Sequence, residues 1–428
     1  MDLIITVGTN PLPNFVVAYH FSEAEGFGVE RIFLVHSDTS SNSSHSSTRS
    51  QAESVRDLLK EKTGKNICTL VPIKEVSGEE IYESLQSQFS EYSPRNSVHL
   101  NYTGGTKAMA VQVYSFVKDE FGENASSSYL DARNHELKYS RSFFNTIEDS
   151  RTVKSLSDIT LSIEELLALH GYSIVQKPDV TTDDRFIEAL AVIREIIKKK
   201  GVEVILEFQQ NYVRKIYYDS KGDVIKKPSQ FRKHMSFEPQ KNLSTTIPQD
   251  LLRIIRAMPE SSILVDNEGN IALPDEQIRN KDFERRVTKR AEFLGGFWFE
   301  QLINELVGDY AKKTKLQHGF SLKARRENLP DFQLDAFLIK GYRLLAISVT
   351  TSPSKSLCKS KGFEVIHRSR QIGGDESRSI LVTLMNQTVA RDLQAELQVE
   401  SGSSSDSFVV LDRSNYKDIG NYIDRLFR

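Results

Sequence analysis

The ten residues Asn101 to Ala110, NYTGGTKAMA, constrain this chain more than any other stretch, because a Gly-Gly pair flanked by hydroxyls and a lysine stands between two regular elements. Ser97 to Leu100 reads as a short buried strand, and Ala108 to Val117 is apolar at helical spacing. The junction is therefore a strand end, a tight loop and a helix N-terminus, where backbone N–H groups lack partners and the helix dipole favours negative charge. Gly104 and Gly105 let a ligand approach the backbone, Thr103 and Thr106 offer hydroxyl donors, and Lys107 adds a point charge. That combination suits a phosphate. The loop is neither G-x-x-x-x-G-K-[ST] nor G-x-G-x-x-G, which argues against a P-loop hydrolase and a dinucleotide fold. The alternative reading is a plain helix-entry turn with Thr106 as N-cap.

Two further strand ends have the same character. Leu3 to Val7 is a continuous apolar run ending in Gly8-Thr9-Asn10-Pro11, and Ile32 to Val35 is followed by His36-Ser37-Asp38-Thr39. In a doubly wound parallel sheet, ligands sit outside the carboxyl ends of the strands, so these polar ends predict one shared site for an anionic, hydroxyl-rich ligand. The serine-rich tract Ser37 to Ser50 reads as a surface loop, with a lid over that site as the alternative.

With VGTNPLP after the first strand and NYTGGTKAMA after a later one, residues 1–150 resemble the CRISPR-associated Rossmann-fold (CARF) domains, which bind cyclic oligoadenylates. The resemblance implies that Thr9, Asn10, Pro11, Thr39, Thr103, Gly104, Gly105, Thr106 and Lys107 contact the effector, with cyclic tetra-adenylate the expected ring. It also implies a homodimer with the effector across the two-fold axis.

A chain of 428 residues exceeds what one core usually supports, which predicts two or three domains. Cys68 and Cys358 are too few for a disulfide framework and lack metal-site spacing. No apolar run approaches a membrane span, and the first residues read directly as a strand, so the expected location is the cytoplasm, with no membrane partner. Beyond residue 150, Leu161 to Leu169, Arg185 to Lys200 and Ile247 to Ala257 read as helices, and Val202 to Phe208 as a strand. Residues 151–287 are expected to form a connecting region.

Residues 288–428 carry a second constellation. Phe297 to Val307, FWFEQLINELV, is an amphipathic helix bearing Glu300 and Glu305; Phe332 to Ile339 is a strand whose apolar run is interrupted by Asp335. A hairpin at Lys340-Gly341-Tyr342 leads into Leu344 to Thr351, and the strand Ile380 to Leu384 comes later. A carboxylate among aliphatics is costly unless paired or bound to a cation, so Asp335 is a metal-ligand candidate. The order helix with Glu, strand with Asp and hairpin into a second strand resembles the restriction-endonuclease-like PD-(D/E)xK core. That resemblance implies a divalent cation, Mn²⁺ or Mg²⁺, held by Glu300 and Asp335, with a lysine positioning the nucleophile. Here Ser348 stands where that family's Glu usually stands, and Thr350 where its Lys usually stands. Lys361, Glu364 and Arg368 share one face of the helix opening at Cys358, so Lys359 or Lys361, with Glu364, are the expected replacements. A solvated charged face is the other reading of that helix.

From Lys312 to Arg370 there are 13 Lys and Arg against 4 Asp and Glu, a bias that favours a nucleic-acid partner. Trp298, Phe299, Phe320 and Tyr342 are candidates for base stacking, although single aromatics at such spacings more often belong to a core. The expected function is an effector-activated, metal-dependent nuclease acting on DNA, RNA or both in type III CRISPR defence. The alternatives are a regulator whose C-terminal part binds nucleic acid without cutting it, and an enzyme that linearises the cyclic nucleotide itself.

Overall fold

The computed structural model describes residues 1–23, 28–38, 47–74, 77–94, 97–131, 136–139, 156–179, 186–235, 247–259, 265–266, 270 and 278–428. Thr39 and the centre of the serine-rich tract, and with them the lid expectation, lie outside these residues. The chain is an α/β protein with two mixed six-stranded sheets.

The first sheet contains β1 (Asp2–Thr6), β2 (Arg31–Asp38), β3 (Cys68–Lys74), β4 (Val98–Asn101), β5 (Ala125–Asp131) and β6 (Glu136–Tyr139), ordered β3-β2-β1-β4-β5-β6. Five strands are parallel, and β6 runs antiparallel to β5. Every residue of β1 is buried, as a central parallel strand covered on both faces requires. Alternation sorts its side chains: Leu3 and Ile5 join Phe15 and Leu59 in one core, while Ile4 packs with Val35, Leu100 and Val113 in another. The strand order reverses between β1 and β4, so their carboxyl ends flank the position where doubly wound sheets bind ligands.

The second sheet has the order β12-β11-β10-β9-β8-β7, with β7 (Tyr172–Gln176), β8 (Gln317–Arg326), β9 (Phe332–Lys340), β10 (Arg343–Thr350), β11 (Arg378–Thr383) and β12 (Phe408–Leu411). Strands β7 to β10 are antiparallel to their neighbours, and β10, β11 and β12 are parallel. Helix Trp298–Thr314 precedes β8, and helix Lys355–Gly373 crosses from β10 to β11. A helix, an antiparallel meander, a crossover helix and a parallel strand thus follow one another along this part of the chain.

One face of this sheet, through Leu345, Ile347 and Val349, packs with the helices of residues 187–314; the other, through Leu344 and Ala346, shares a continuous core with β1 and helix Leu12–Glu23. The two sheets are thus joined by apolar packing, reinforced by the partly buried Lys62–Glu165 ion pair at 2.6 Å.

One expectation is corrected, and one pair of alternatives is decided. Val202 to Phe208 is not a strand but leads into helix Glu203–Phe208, in which Ile205 and Phe208 are buried. Buried Val202, Ile205 and Phe208 recur every three residues while Glu203 and Glu207 are exposed, so helical periodicity prevails over β-branched content. Trp298, Phe299, Phe320 and Tyr342 are all at most 3% exposed, so they form core and present no face to a base.

Candidate functional site

At the switch point three strand-end loops are tied together by their own polar groups. The Thr6 hydroxyl donates to the Gly104 carbonyl (2.7 Å), and the buried Asn14 amide donates to the Thr6 carbonyl (2.9 Å). Thr48 Oγ1 donates to the Val7 carbonyl (3.1 Å) and accepts from Ser37 N (3.0 Å). A Cβ on Gly8 would lie 2.7 Å from Gly105 N, and one on Gly104 would lie 2.4 Å from the Thr6 carbonyl oxygen. The two loops therefore touch backbone to backbone, which only glycine allows, and Gly105 also adopts a φ of 80°.

Thr9, Thr106 and Lys107 are exposed at this junction, beside Gly104 and Gly105. Thr106 caps helix Lys107–Phe121, its hydroxyl accepting from Met109 N (3.2 Å), which leaves the earliest N–H groups of the first turn to a ligand. Helices Leu12–Glu23, Arg49–Thr63 and Lys107–Phe121, which follow β1, β2 and β4, carry no acid in their first turns. Helix Gly78–Gln88, which follows β3, carries Glu79 and Glu80 there. Acids are thus missing where an anion would be repelled by them.

Thr103 and Asn10 are engaged within the protein. Thr103 Oγ1 donates to Asn101 Oδ1 and accepts from Leu130 N, both at 2.7 Å, pinning the loop to β5. Asn10 Oδ1 accepts from Leu12 N (3.2 Å) and lies 3.3 Å from His170 Nε2; a Cβ on Gly374 would meet the Asn10 amide at 2.2 Å. Asn10 thus bridges the loop after β1 to the second half of the chain. Pro11 is buried at the start of the first helix. Sequence reading missed Thr6, Asn14 and Thr48. The available signal was Asn14, a single amide within the apolar run LPNFVVAYHF.

The second constellation forms where β9 and β10 pair. Asp335 Oδ2 accepts from Val349 N (2.9 Å) and from the Ser348 hydroxyl (3.0 Å). Burial pushes the Asp335 carboxyl up, opposed by the Val349 N–H, the Lys361 charge and the Ser348 hydroxyl. Burial and then the neighbouring Asp335 raise Glu300 to about 7, against the pull of Lys361. Lys361 pairs with Glu364 at 3.7 Å, and both line a small crevice with Asp335, Ser348, Gln333 and Arg368. Glu300, Asp335, Ser348, Lys361 and Glu364 are therefore brought together.

Lys359 is not: its ammonium binds Glu400 (2.6 Å) and Glu396 (3.4 Å) on helix Gln387–Ser401. Thr350 Oγ1 accepts from Ser352 N (3.1 Å) and shapes the turn leaving β10. Glu305 pairs with Arg194 at 2.9 Å, tying the Glu300 helix to the middle of the chain.

Among the described residues, no three His, Cys, Asp or Glu side chains stand close enough together to hold a metal ion. Two buried carboxyls, Asp335 pushed towards protonation by burial and Glu300 by burial and by Asp335, nonetheless fit a hard divalent cation, which commonly takes one or two carboxylates and fills its remaining positions with water and phosphate. One consequence is testable. Because Glu300 has a raised folded-state pKa, its stabilising effect is complete below the unfolded value of about 4.5 and is lost as pH rises through about 7. Glu300→Gln is expected to melt above the parent at about pH 8 in chelator, with the gap closing towards pH 5, and added Mn²⁺ should raise the Tm of the parent alone. Parallel Tm curves across that range would contradict it.

The glycine-built crevice lies at the switch point of the first sheet, and the N-terminal part of the chain is a CARF domain. Residues 3–160 match the family model of the Card1 CARF domain. The whole chain superimposes on Can2 from Sulfobacillus thermosulfidooxidans in complex with cyclic tetra-adenylate, at 13% identity over 100% of this chain and 99% of that one, with a TM-score of 0.62. It superimposes likewise on protein VC1899 from Vibrio cholerae, at 14% identity over 100% and 97% of the two chains, with a TM-score of 0.59. At these identities the likeness concerns the fold. No curated protein matches the chain in sequence. No helix among the described residues is long and apolar enough to cross a membrane.

Proposed function

We propose that the chain is a nuclease switched on by a cyclic oligoadenylate, most simply cyclic tetra-adenylate, and dependent on Mn²⁺ or Mg²⁺. The observation that carries the reading is the convergence of Glu300, Asp335 and Lys361 at the β9–β10 junction. The effector would lie at the β1–β4 switch point of a homodimer, with its phosphates over Gly104, Gly105 and the start of helix Lys107–Phe121. Thr9, Thr106 and Lys107 would supply the exposed donors and charge. The ligand of the Can2 structure supports this choice of ring.

In the second half, Glu300 and Asp335 would hold the cation, which when bound polarises the phosphate and lowers the pKa of water. Asp335 is held in place by Ser348 and the Val349 N–H, so the serine standing in the usual acid position orients a carboxylate. Lys361, restrained by Glu364, would face the phosphate oxygens and take the part of the missing strand lysine. Since Glu300 must lose its proton to bind a cation, cleavage is expected to rise with pH through about 7, and more metal should move the rise to lower pH.

The test is cleavage of labelled single-stranded RNA, single-stranded DNA and supercoiled plasmid with Mn²⁺ or Mg²⁺, with and without cyclic tetra-adenylate. Cutting that requires both effector and metal, and that Lys107→Ala shifts to higher effector concentration, is the expected result. Tight effector binding without any cutting would establish the non-cutting regulator instead, and loss of the ring itself would establish the effector-degrading enzyme.

A further inference from the structure

A cleft of about 610 Å³ opens at the carboxyl end of β10, within the size range of ligand sites. Its walls come from three parts of the chain. One is the π-helical turn Gln209–Val213 with Arg214; another is the turn around Asp219-Ser220-Lys221-Gly222; the third is the segment Thr351–Pro353 leaving β10. Thr351 lies three residues beyond Ser348, roughly 10 Å along an extended chain. That is about three nucleotides at the ~3.4 Å per-strand spacing of duplex nucleic acid.

The charge of the cleft is uneven. Arg214 and Lys221 are exposed and make no ion pair among the described residues. The acid in the wall, Asp219, is occupied, with Oδ1 accepting from Lys221 N and Asp223 N, both at 2.9 Å. Its carboxylate closes the turn and stays ionised, its pKa held down by those backbone bonds and the Lys221 charge, so the wall carries two exposed cations against one anion.

The walls are also fastened to the segment that carries Glu300. A second π-helical turn, Phe293–Phe297, runs directly into helix Trp298–Thr314. The Gln209 amide donates to the Leu294 carbonyl (2.8 Å), the Thr351 hydroxyl to the Gly295 carbonyl (3.2 Å), and the Tyr218 hydroxyl to the Ala291 carbonyl (2.8 Å). A Cβ on Gly295 would meet the Tyr218 hydroxyl at 2.4 Å, so the approach is as close as the backbone permits. Single π-type turns within α-helices are rare and frequently stand at functional sites, and here two of them from distant segments meet.

From this we infer that the cleft seats the polynucleotide strand flanking the scissile phosphate, with Arg214 and Lys221 binding its phosphates. The inference rests on the nuclease reading and adds the path of the substrate. Both residues lie outside the basic stretch of residues 312–370 but within Asn211 to Ser244, a second segment that is polar and basic in the sequence. As strand-binding residues they set KM, and they leave the effector crevice untouched.

The test uses the full-length protein with cyclic tetra-adenylate in chelator, measuring the affinity of short labelled DNA and RNA oligonucleotides from about 50 to 200 mM salt. The double variant Arg214→Glu Lys221→Glu is expected to bind at least about tenfold more weakly, with the slope of log K against log salt reduced by about two and effector affinity unchanged. Arg214→Gln Lys221→Gln, which removes charge without reversing it, covers the case in which the first variant misfolds. Unchanged affinity and slope in either folded variant, while the parent binds and cuts, would overturn the cleft assignment and leave the nuclease reading standing. A parent that binds no oligonucleotide and cuts none would overturn both. Displacement of the oligonucleotide by a nucleoside monophosphate at similar concentration would make this a mononucleotide site and overturn the strand assignment.

Discussion

Asp335→Asn is expected to abolish effector-dependent cleavage by about 10³-fold while leaving cyclic tetra-adenylate binding as it was. Losing a metal-holding carboxylate removes several kcal/mol of transition-state stabilisation, and each ~1.36 kcal/mol is tenfold in rate. Asparagine is the informative replacement because its carbonyl oxygen still accepts from Val349 N and Ser348, whereas alanine would strand both donors in a buried site. Because burial raises the Asp335 pKa, the ionised carboxylate works against folding, and that penalty grows as pH rises above the ordinary carboxylate range. In chelator above neutral pH the asparagine variant should therefore melt no lower than the parent. Single-turnover cleavage and a melting curve at about pH 8 decide the matter. Retained cleavage would remove Asp335 from the centre, and a large drop in Tm would make its role one of packing.

The second large effect is expected at Gly104, in the other half of the molecule. A methyl group there would sit 2.4 Å from the Thr6 carbonyl oxygen and 2.7 Å from the Asn14 amide nitrogen, groups that are bonded to each other. Neither is the free end of a flexible side chain, so the loop after β4 must move away from β1. Forced overpacking of this kind costs roughly 1–3 kcal/mol. Gly104→Ala should weaken cyclic tetra-adenylate binding by about 10- to 100-fold, at ~1.4 kcal/mol per decade, and lower Tm by several degrees. Lys107→Ala removes one exposed charge and disturbs no packing, so it should weaken binding with Tm unchanged. Calorimetric titration beside melting curves separates the two. Equal affinity in Gly104→Ala and the parent would show that the close approach of the loops is dispensable for the ligand.

The first sheet was readable because its information is local. Continuous apolar runs ended in glycine and hydroxyl residues, and GGTK followed by helical periodicity marked the turn between β4 and its helix. Asn10 was harder to read. Its position in the loop suggested a ligand contact, but its partners His170 and Gly374 are distant in sequence, and only tertiary packing reveals the bridge. The second site was legible through Asp335, whose charge interrupts an apolar strand, and through the shared helical face of Lys361 and Glu364. Spacing could not separate Lys359 from Lys361, because the difference lies in Glu396 and Glu400, supplied by a helix some forty residues downstream. The cleft beside β10 was not legible as a site, because the basic character of residues 211–244 says nothing of the distant segments around Gly295, Thr351 and Leu384 that complete its walls.

The apolar core that runs from β1 and helix Leu12–Glu23 through to Leu344 and Ala346 has a bearing on how such a protein can change over evolutionary time. In a molecule whose parts meet only through a linker, a sensor can be exchanged like a cartridge. Here the underside of the first sheet's unit is also the lining of the second sheet, and a foreign unit in its place would leave that lining wet. Inheritance of the two halves should therefore be concerted, with substitutions on one side of the seam answered on the other. New ligand preferences would arise by altering loops at the rim of the crevice, where the shared core does not reach.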